Sequence, residues 1–220
     1  MAQPGRDVVV FAGAPLAPTP RLRARLRGLR QPRVIAADGG AVTALAFGLR
    51  PHLVVGDFDS LPEQVRGDLV RRSVPLEPFP RDKDATDGAL ALERALSFEP
   101  RDIVLLGYLN GPRLDMTLAS APLLETVRTR AYLLDERNEC LLLRGPEHYA
   151  WLAESDELIS LVPLAGDCLG VRTSGLRWPL RDERLVFGGT RGMSNEPIAE
   201  RVSVAISDGR LLLSRHFARV

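Results

Sequence analysis

Cysteine and histidine are scarce in this 220-residue chain, and neither forms a metal-binding pattern. The three histidines share no metal-ligand spacing: they are His52, His148 and His216. The two cysteines, Cys140 and Cys168, lie far apart and outside any Cys-x-x-Cys pair. We therefore expect two buried thiols, and neither a zinc site nor a disulfide framework.

Long apolar segments are also lacking. No run approaches the ~18 residues that a membrane-spanning helix needs, and the amino terminus lacks the apolar stretch of a signal peptide. We therefore expect a cytoplasmic protein with no membrane partner. Hydrophobic residues still make up 45% of the chain, which is ample for a packed core. The formal net charge of +1 argues against a protein whose main role is to bind nucleic acid.

Three common enzyme signatures are missing. The chain has no Gly-x-x-x-x-Gly-Lys-Ser/Thr loop, no Gly-x-Gly-x-x-Gly fingerprint and no Gly-x-Ser-x-Gly elbow. What remains is an acidic cluster, one lysine, one loop arginine and glycine turns at strand ends. This inventory fits the transfer of a phosphorus-containing group, in which positioning and electrostatics supply most of the catalysis.

The acidic cluster follows a predicted buried strand. That strand stops at Gly56 and is followed by Asp57 and Asp59, which can point the same way because strand side chains alternate. A third carboxylate, Asp87, comes from a later turn, and such oxygen ligands suit Mg²⁺. The alternative is structural, because Asp84 as an N-cap and Asp87 in a first turn would suit any helix start.

Two cationic side chains accompany these carboxylates. Lys83 is the only lysine among 29 basic residues, which favours a need for a compact ammonium there, although chance is an alternative. Arg113 lies in a glycine-bearing loop after a strand, where it can bind phosphate oxygens bidentately. Gly39 and Gly40 follow Asp38 at another strand end. They would let the backbone approach a nucleotide, or would simply form a tight turn.

Hydrophobic periodicity divides the chain into two domains. Over residues 1–144 apolar runs alternate with helical patterns, which predicts an α/β domain with a mostly parallel, Rossmann-like sheet. From residue 145 to 220 helical periodicity nearly vanishes and short β-type runs are separated by turn residues, which predicts a smaller all-β sandwich. The predicted strands cover 8–12, 33–37, 53–55, 74–77, 102–107, 131–134, 139–143, 157–162, 168–173, 184–187, 201–206 and 210–214.

Taken together, these motifs resemble those of the thiamine pyrophosphokinase family. In chain order the matching segments are Asp38-Gly39-Gly40, Gly56-Asp57-Phe58-Asp59-Ser60, Lys83-Asp84-Ala85-Thr86-Asp87, Arg113-x-Asp115, Gly175-Leu176-Arg177-Trp178-Pro179-Leu180 and Met193-Ser194-Asn195-Glu196. Each motif is modest by itself, but their joint order and intervals span nearly the whole chain.

The resemblance implies a homodimer that uses ATP and Mg²⁺ to transfer a pyrophosphoryl group to the hydroxyethyl oxygen of thiamine, releasing AMP. It implies that the magnesium ligands are Asp57, Asp59 and Asp87. It places the nucleotide at Asp38, Gly39, Gly40, Lys83 and Arg113. It also places Asp115 beside the reacting hydroxyl or behind the residues that contact it. In the second domain, which would bind thiamine and form the dimer, it offers Trp178 for stacking and Ser194 and Asn195 for hydrogen bonds. A core position is the alternative for Trp178.

One loop departs from the family pattern. The family's Gly-Gly-Arg-x-Asp-His reads Gly111-Pro112-Arg113-Leu114-Asp115-Met116 here. Pro112 removes an amide donor, and Met116 replaces a titratable ring. Two alternatives therefore stay open: a related pyrophosphokinase that acts on another alcohol, such as a pterin, and a non-catalytic protein that binds nucleotide or thiamine.

Overall fold

The computed structural model describes residues 5–154 and 156–218. The chain divides between Glu136 and Arg137 into two compact units. The strand Asn138–Arg144 belongs to the second unit, whereas the sequence placed it in a first domain ending at residue 144. Among the described residues, no helix has the length and apolar character needed to cross a membrane.

The first unit is a parallel sheet with helices. Its strands are β1 (Val8–Phe11), β2 (Arg33–Ala37), β3 (Leu53–Gly56), β4 (Leu76–Pro78), β5 (Asp102–Leu106) and β6 (Arg130–Leu134). Its helices are α1 (Pro20–Arg27), α2 (Gly40–Ala46), α3 (Glu63–Arg71), α4 (Asp87–Leu96) and α5 (Leu114–Leu123), followed by a 3₁₀ turn at Leu124–Thr126. All five strand pairs in the order β4-β3-β2-β1-β5-β6 are parallel.

The core of this unit lies along its central strands. All four residues of β1 are buried, and so are four of the five residues of β5. Strands buried along their length in this way are typical of a parallel sheet covered by helices on both faces. The predicted α/β character of the first unit is therefore confirmed.

The second unit is built from antiparallel strands. They are β7 (Asn138–Arg144), β8 (Glu147–Leu152), β9 (Glu157–Pro163), β10 (Cys168–Ser174), β11 (Arg181–Leu185), β12 (Arg201–Ile206) and β13 (Arg210–Phe217). Strands β7, β13 and β9 pair in that order, and the second set pairs as β11-β10-β12-β8. The all-β prediction is confirmed at this level, although β8 had no counterpart among the predicted strands.

The start of α4 differs from the sequence prediction. The helix begins at Asp87, and its N-cap is Thr86, whose Oγ1 accepts a hydrogen bond from the amide of Ala89 at 3.2 Å. The expectation that Asp84 caps this helix is wrong, because Asp84 lies two residues before the capping position. Asp87 is therefore the first helical residue, where a carboxylate is favoured by the helix dipole.

Candidate active site

A cavity of about 510 Å³ lies at the carboxyl ends of the parallel strands. Ala12 follows β1, Asp38 follows β2, Asp57 follows β3 and Gly107 follows β5, and all four residues line it. Here the sheet order changes direction, because β2, β3 and β4 extend from one side of β1 while β5 and β6 extend from the other. Ligands of open α/β sheets bind at such a switch point.

Three carboxylates converge beside this cavity. Ligand oxygens of Asp38, Asp57 and Asp59 all lie within 4.8 Å of one another. Asp57 Oδ1 accepts a hydrogen bond from the amide of Asp59 at 3.1 Å, and this bond lowers the pKa of the Asp57 carboxyl. The structure thus brings together the two predicted strand-end aspartates, and Asp38 completes this group of three.

Asp38 is the most enclosed member of this group. Asp38 is 6% exposed, and this burial raises the pKa of its carboxyl by desolvation. The amide of Ser60 donates a hydrogen bond to Asp38 Oδ2 at 3.4 Å, while Oδ1 is buried without a hydrogen-bond partner among the described residues. Ser60 was not predicted as a site residue, although it directly follows the Asp57-x-Asp59 motif.

Asp87 is paired with the lysine. Lys83 Nζ lies 3.1 Å from Asp87 Oδ1 and donates a hydrogen bond to the carbonyl of Pro80 at 2.9 Å. The Lys83 side chain is only 14% exposed, and both residues line the cavity. The ammonium is therefore fixed at the cavity wall by one carboxylate and one carbonyl.

Arg113 is paired with its neighbour in the loop. Its guanidinium contacts both carboxylate oxygens of Asp115, and the Nε to Oδ1 distance is 3.2 Å. This contact raises the pKa of Arg113 and lowers the pKa of Asp115. Arg113 lines the cavity together with Pro112 and Met116, the two residues that depart from the family pattern.

The two glycines after Asp38 have a packing role. A Cβ on Gly40 would lie 2.2 Å from the carbonyl oxygen of Phe11, so only glycine allows the start of α2 to approach β1 this closely. A Cβ on Gly39 would lie 2.9 Å from Ser60 Oγ, which accepts a hydrogen bond from the Gly39 amide at 3.1 Å. The predicted contact of these glycines with a nucleotide stays a prediction.

Tyr108 and Ser120 support the cavity wall and were missed by the sequence analysis. Tyr108 is buried, its hydroxyl donates to the carbonyl of Gly88 at 2.7 Å, and burial raises its pKa. Ser120 Oγ donates to the carbonyl of Tyr108 at 2.8 Å. Isolated tyrosines and serines carry no signal in a sequence that would mark them for such a role.

In the second unit, Asn195 is bound to the chain around Trp178. Its Oδ1 accepts hydrogen bonds from the amides of Trp178 at 3.1 Å and Glu196 at 3.0 Å, and its Nδ2 donates to the carbonyl of Trp178 at 2.7 Å. Trp178 is 48% exposed, with the Arg177 guanidinium 5.2 Å from its ring centroid. Ser194 is exposed, and its amide donates to Ser160 Oγ at 3.1 Å.

Carboxylates, an ammonium and a guanidinium around a cavity at the carboxyl edge of a parallel sheet define an α/β protein suited to phosphate chemistry. Residues 29–133 match the family model described as thiamin pyrophosphokinase, catalytic domain, and residues 152–211 match the one described as thiamin pyrophosphokinase, vitamin B1 binding domain. The chain therefore belongs to the thiamine pyrophosphokinase family.

Individual relatives agree with this assignment. The chain is 32% identical over 184 residues to thiamine pyrophosphokinase of Bacillus subtilis (strain 168), covering 82% of this chain and 86% of the relative. Thiamin pyrophosphokinase 1 of Caenorhabditis elegans is 30% identical, with 76% of this chain and 72% of the relative covered. The crystal structure of the Bacillus subtilis enzyme superposes with a TM-score of 0.86 at 27% identity, over 97% and 100% of the two chains.

Proposed function

We propose that this protein is a thiamine diphosphokinase, which transfers the pyrophosphoryl group of ATP to thiamine and releases AMP. The hydroxyethyl oxygen of thiamine forms a bond to the β-phosphorus, the bond from that phosphorus to the α,β-bridging oxygen breaks, and the hydroxyl proton is released. The match of both halves of the chain to the two domains of the family supports this proposal above all. The Rossmann-like first unit binds ATP, and the sandwich-like second unit binds thiamine.

The residues at the cavity fit a magnesium ion. Asp57 and Asp59 supply hard oxygen ligands for the metal. Asp38 Oδ1 is a further carboxylate oxygen that is buried without a hydrogen-bond partner among the described residues. When bound, Mg²⁺ neutralises charge on the polyphosphate and makes the β-phosphorus easier to attack. Asp87, the third ligand that the resemblance implies, also lines the cavity, and its Oδ1 is buried without a hydrogen-bond partner among the described residues at 3.1 Å from Lys83 Nζ.

The cationic side chains contact the polyphosphate in this proposal. Lys83 presents its ammonium from a position fixed by Asp87 and Pro80. Asp115 orients the Arg113 guanidinium by its ion pair. When Arg113 binds a phosphate oxygen, this ion pair keeps Asp115 close to the reacting hydroxyl. Both cations stabilise negative charge that moves onto the leaving AMP.

The thiamine site is proposed in the second unit. The exposed face of Trp178 stacks on a heteroaromatic cation, and Ser194 offers its hydroxyl to the aminopyrimidine. Asn195 contributes by fixing the main chain of Trp178, since its amide group is already bound there. The family resemblance also supports a homodimer.

The test is to incubate the purified protein with thiamine, ATP and Mg²⁺ and to measure AMP and thiamine diphosphate. We expect the two products in equal amounts, and no product after chelation of the metal or in Asp57→Asn. A folded protein that forms neither product contradicts the proposal. AMP release with a pterin alcohol but not with thiamine would assign another acceptor, and calorimetric binding without turnover would indicate a binding protein.

A further inference from the structure

Arg81 is a cation of the cavity wall that none of the family motifs includes. It lies two residues before the motif that begins at Lys83, and it is an exposed residue that lines the cavity. Over residues 5–154 and 156–218, its guanidinium forms no hydrogen bond and no ion pair. A guanidinium presents several donors in one plane, and these match the oxygens of a phosphate group. Arg81 therefore offers an available phosphate-binding group at the site.

The other two cations in the described lining are already paired with carboxylates. Lys83 Nζ lies 3.1 Å from Asp87 Oδ1, and the Arg113 guanidinium contacts both carboxylate oxygens of Asp115. Each pair carries no net charge, so the carboxylate weakens the attraction of its cation for an anion. Arg81 is thus the cation of this lining whose charge is not offset by a direct carboxylate partner.

The main chain holds Arg81 beside the end of β3. The amide of Phe79, two residues before Arg81, donates a hydrogen bond at 2.8 Å to the carbonyl of Gly56, which directly precedes Asp57. The hydrogen bond from the Asp59 amide is the main cause of the lowered pKa of Asp57, and the positive charge of Arg81 contributes to it. Arg81 therefore lies close enough to Asp57 for their charges to interact.

The lining needs positive charge to accept a polyphosphate, because it contains three carboxylates, Asp38, Asp57 and Asp87. Asp57, as a proposed magnesium ligand, marks the part of the cavity where phosphates bind, since Mg²⁺ is usually shared between carboxylates and substrate phosphates. We propose that Arg81 binds phosphate oxygens of the pyrophosphoryl part of ATP and makes the site prefer ATP over the product AMP, which lacks that part. This inference rests on the proposed function, because it takes a polyphosphate as the ligand of the cavity.

Calorimetry without turnover tests the contact. The ligands are AMP and α,β-methylene ATP, in which carbon replaces the oxygen of the bond that breaks, both in the presence of Mg²⁺. Losing a charged hydrogen-bond partner costs binding energy, so Arg81→Gln should weaken binding of the analogue by about tenfold and change AMP binding by less than about twofold. Unchanged binding of the analogue, or an equal loss for AMP, overturns the inference.

Arg27→Gln is the matched control. Arg27 ends α1 and is exposed, and its guanidinium, like that of Arg81, has no ion pair or hydrogen bond within the described ranges. It does not line the cavity. Both substitutions remove one positive charge, and only Arg81→Gln should weaken binding of the analogue. An equal loss in the two variants would show that binding follows the net charge of the protein, and would overturn the inference.

Salt and a lysine substitution separate a direct contact from a structural effect. Attraction by an exposed guanidinium is screened by salt, so the difference between wild type and Arg81→Gln should shrink as KCl is raised. Arg81→Lys keeps the charge but loses the planar fork, and it should recover part of the lost affinity. Both variants should keep the wild-type melting temperature, because residue 81 is exposed. A salt-independent loss that Arg81→Lys does not recover contradicts the inference.

Turnover is measured separately from binding. Formation of AMP and thiamine diphosphate with unaltered binding of the analogue in Arg81→Gln rejects only this inference. Binding of the analogue that depends on Arg81, without any product from thiamine and ATP, rejects only the proposed function.

Discussion

Asn195 shows how a polar side chain near the proposed thiamine site can bind the main chain and leave the ligand to its neighbours. The residue is 9% exposed, and both the oxygen and the nitrogen of its side-chain amide are hydrogen-bonded to the backbone, at Trp178 and Glu196. Each such hydrogen bond contributes about 1 kcal/mol net to stability. The side chain therefore holds the segment that presents the indole ring.

Asn195→Ala should raise the KM for thiamine by roughly tenfold, about 1.4 kcal/mol, while kcat changes little. The reason is that a displaced Trp178 weakens thiamine binding without changing the groups that carry out the transfer. Steady-state kinetics with thiamine varied at saturating ATP measures both parameters. The control is Ser174→Ala, which removes the exposed contact between Ser174 and Ser203 in the same unit and should leave KM unchanged. A lower melting temperature with unchanged KM would limit Asn195 to a structural role.

At the residue scale, the sequence revealed carboxylates but not their partners. Asp57 and Asp59 were predicted to converge because they share one strand end and alternate in direction. The pairing of Lys83 with Asp87, and the absence of a hydrogen-bond partner for Asp38 Oδ1 among the described residues, depend on contacts between separate turns. No spacing along the chain specifies those contacts.

Helix α4 connects a capping residue to the cavity. Thr86 caps the helix, and the next residue, Asp87, binds Lys83. Thr19 caps α1 in the same way, with Oγ1 accepting from the amide of Leu22 at 3.3 Å, and Thr19 is not among the residues that line the cavity. The two threonines therefore form a matched pair for separating stability from catalysis.

Both Thr86→Ala and Thr19→Ala should reduce the free energy of unfolding by about 1 kcal/mol, because each exposes helix amides that were capped. Only Thr86→Ala should also lower kcat/KM for ATP, since fraying of the first turn of α4 displaces Asp87 and with it the Lys83 ammonium. Urea denaturation and initial rates test the two parts. Equal loss of activity in both variants would mean that activity follows stability alone.

At the element scale, strands with a clear hydrophobic pattern were predicted from the sequence, and one strand with a weak pattern, β8, was missed. The buried run of β1 and the alternating burial of β13 correspond to strands predicted at 8–12 and 210–214. Strand β8 was missed because its burial does not alternate strictly: Glu147–Leu152 has one buried residue, and Leu152 is exposed. A strand without a regular apolar face resembles an irregular segment in sequence.

A buried charge network lies in the second unit. Burial alternates along β13, and this alternation places Arg215 on the inward face, where its side chain is 9% exposed. The Arg215 guanidinium lies 2.6 Å from Glu157 and 3.3 Å from Glu139, and Trp151 Nε1 donates to Glu157 Oε1 at 2.7 Å. Strands β7, β8, β9 and β13 are thereby linked through one cation.

Arg215→Met should reduce the free energy of unfolding by about 3–5 kcal/mol, because it leaves Glu139 and Glu157 buried without the guanidinium. Arg184→Met is the control, since the Arg184 side chain is 66% exposed in its pair with Asp167 and should change stability by about 1 kcal/mol or less. Urea denaturation followed by circular dichroism gives both values. Similar losses in the two variants would show that the network contributes no more than a surface ion pair.

At the scale of the whole molecule, the sequence predicted the succession of an α/β and an all-β unit but not the order of strands. Placing β1 beside both β2 and β5 depends on long-range pairing, which local patterns do not encode. The position of the cavity between the ends of β1 and β5 follows from that order. The motifs therefore indicated the chemistry of the site, while the topology determined where it is assembled.

The single lysine has a practical consequence for labelling. Apart from the amino-terminal group, the Lys83 side chain carries the chain's one primary amine, and it lies in the wall of the cavity. An amine-selective acylating fluorophore would therefore react at the amino terminus and at Lys83, and Lys83 is the lysine that places the label in the cavity wall. Protection of that amine by a bound polyphosphate would report occupancy of the cavity directly, without any coupled assay.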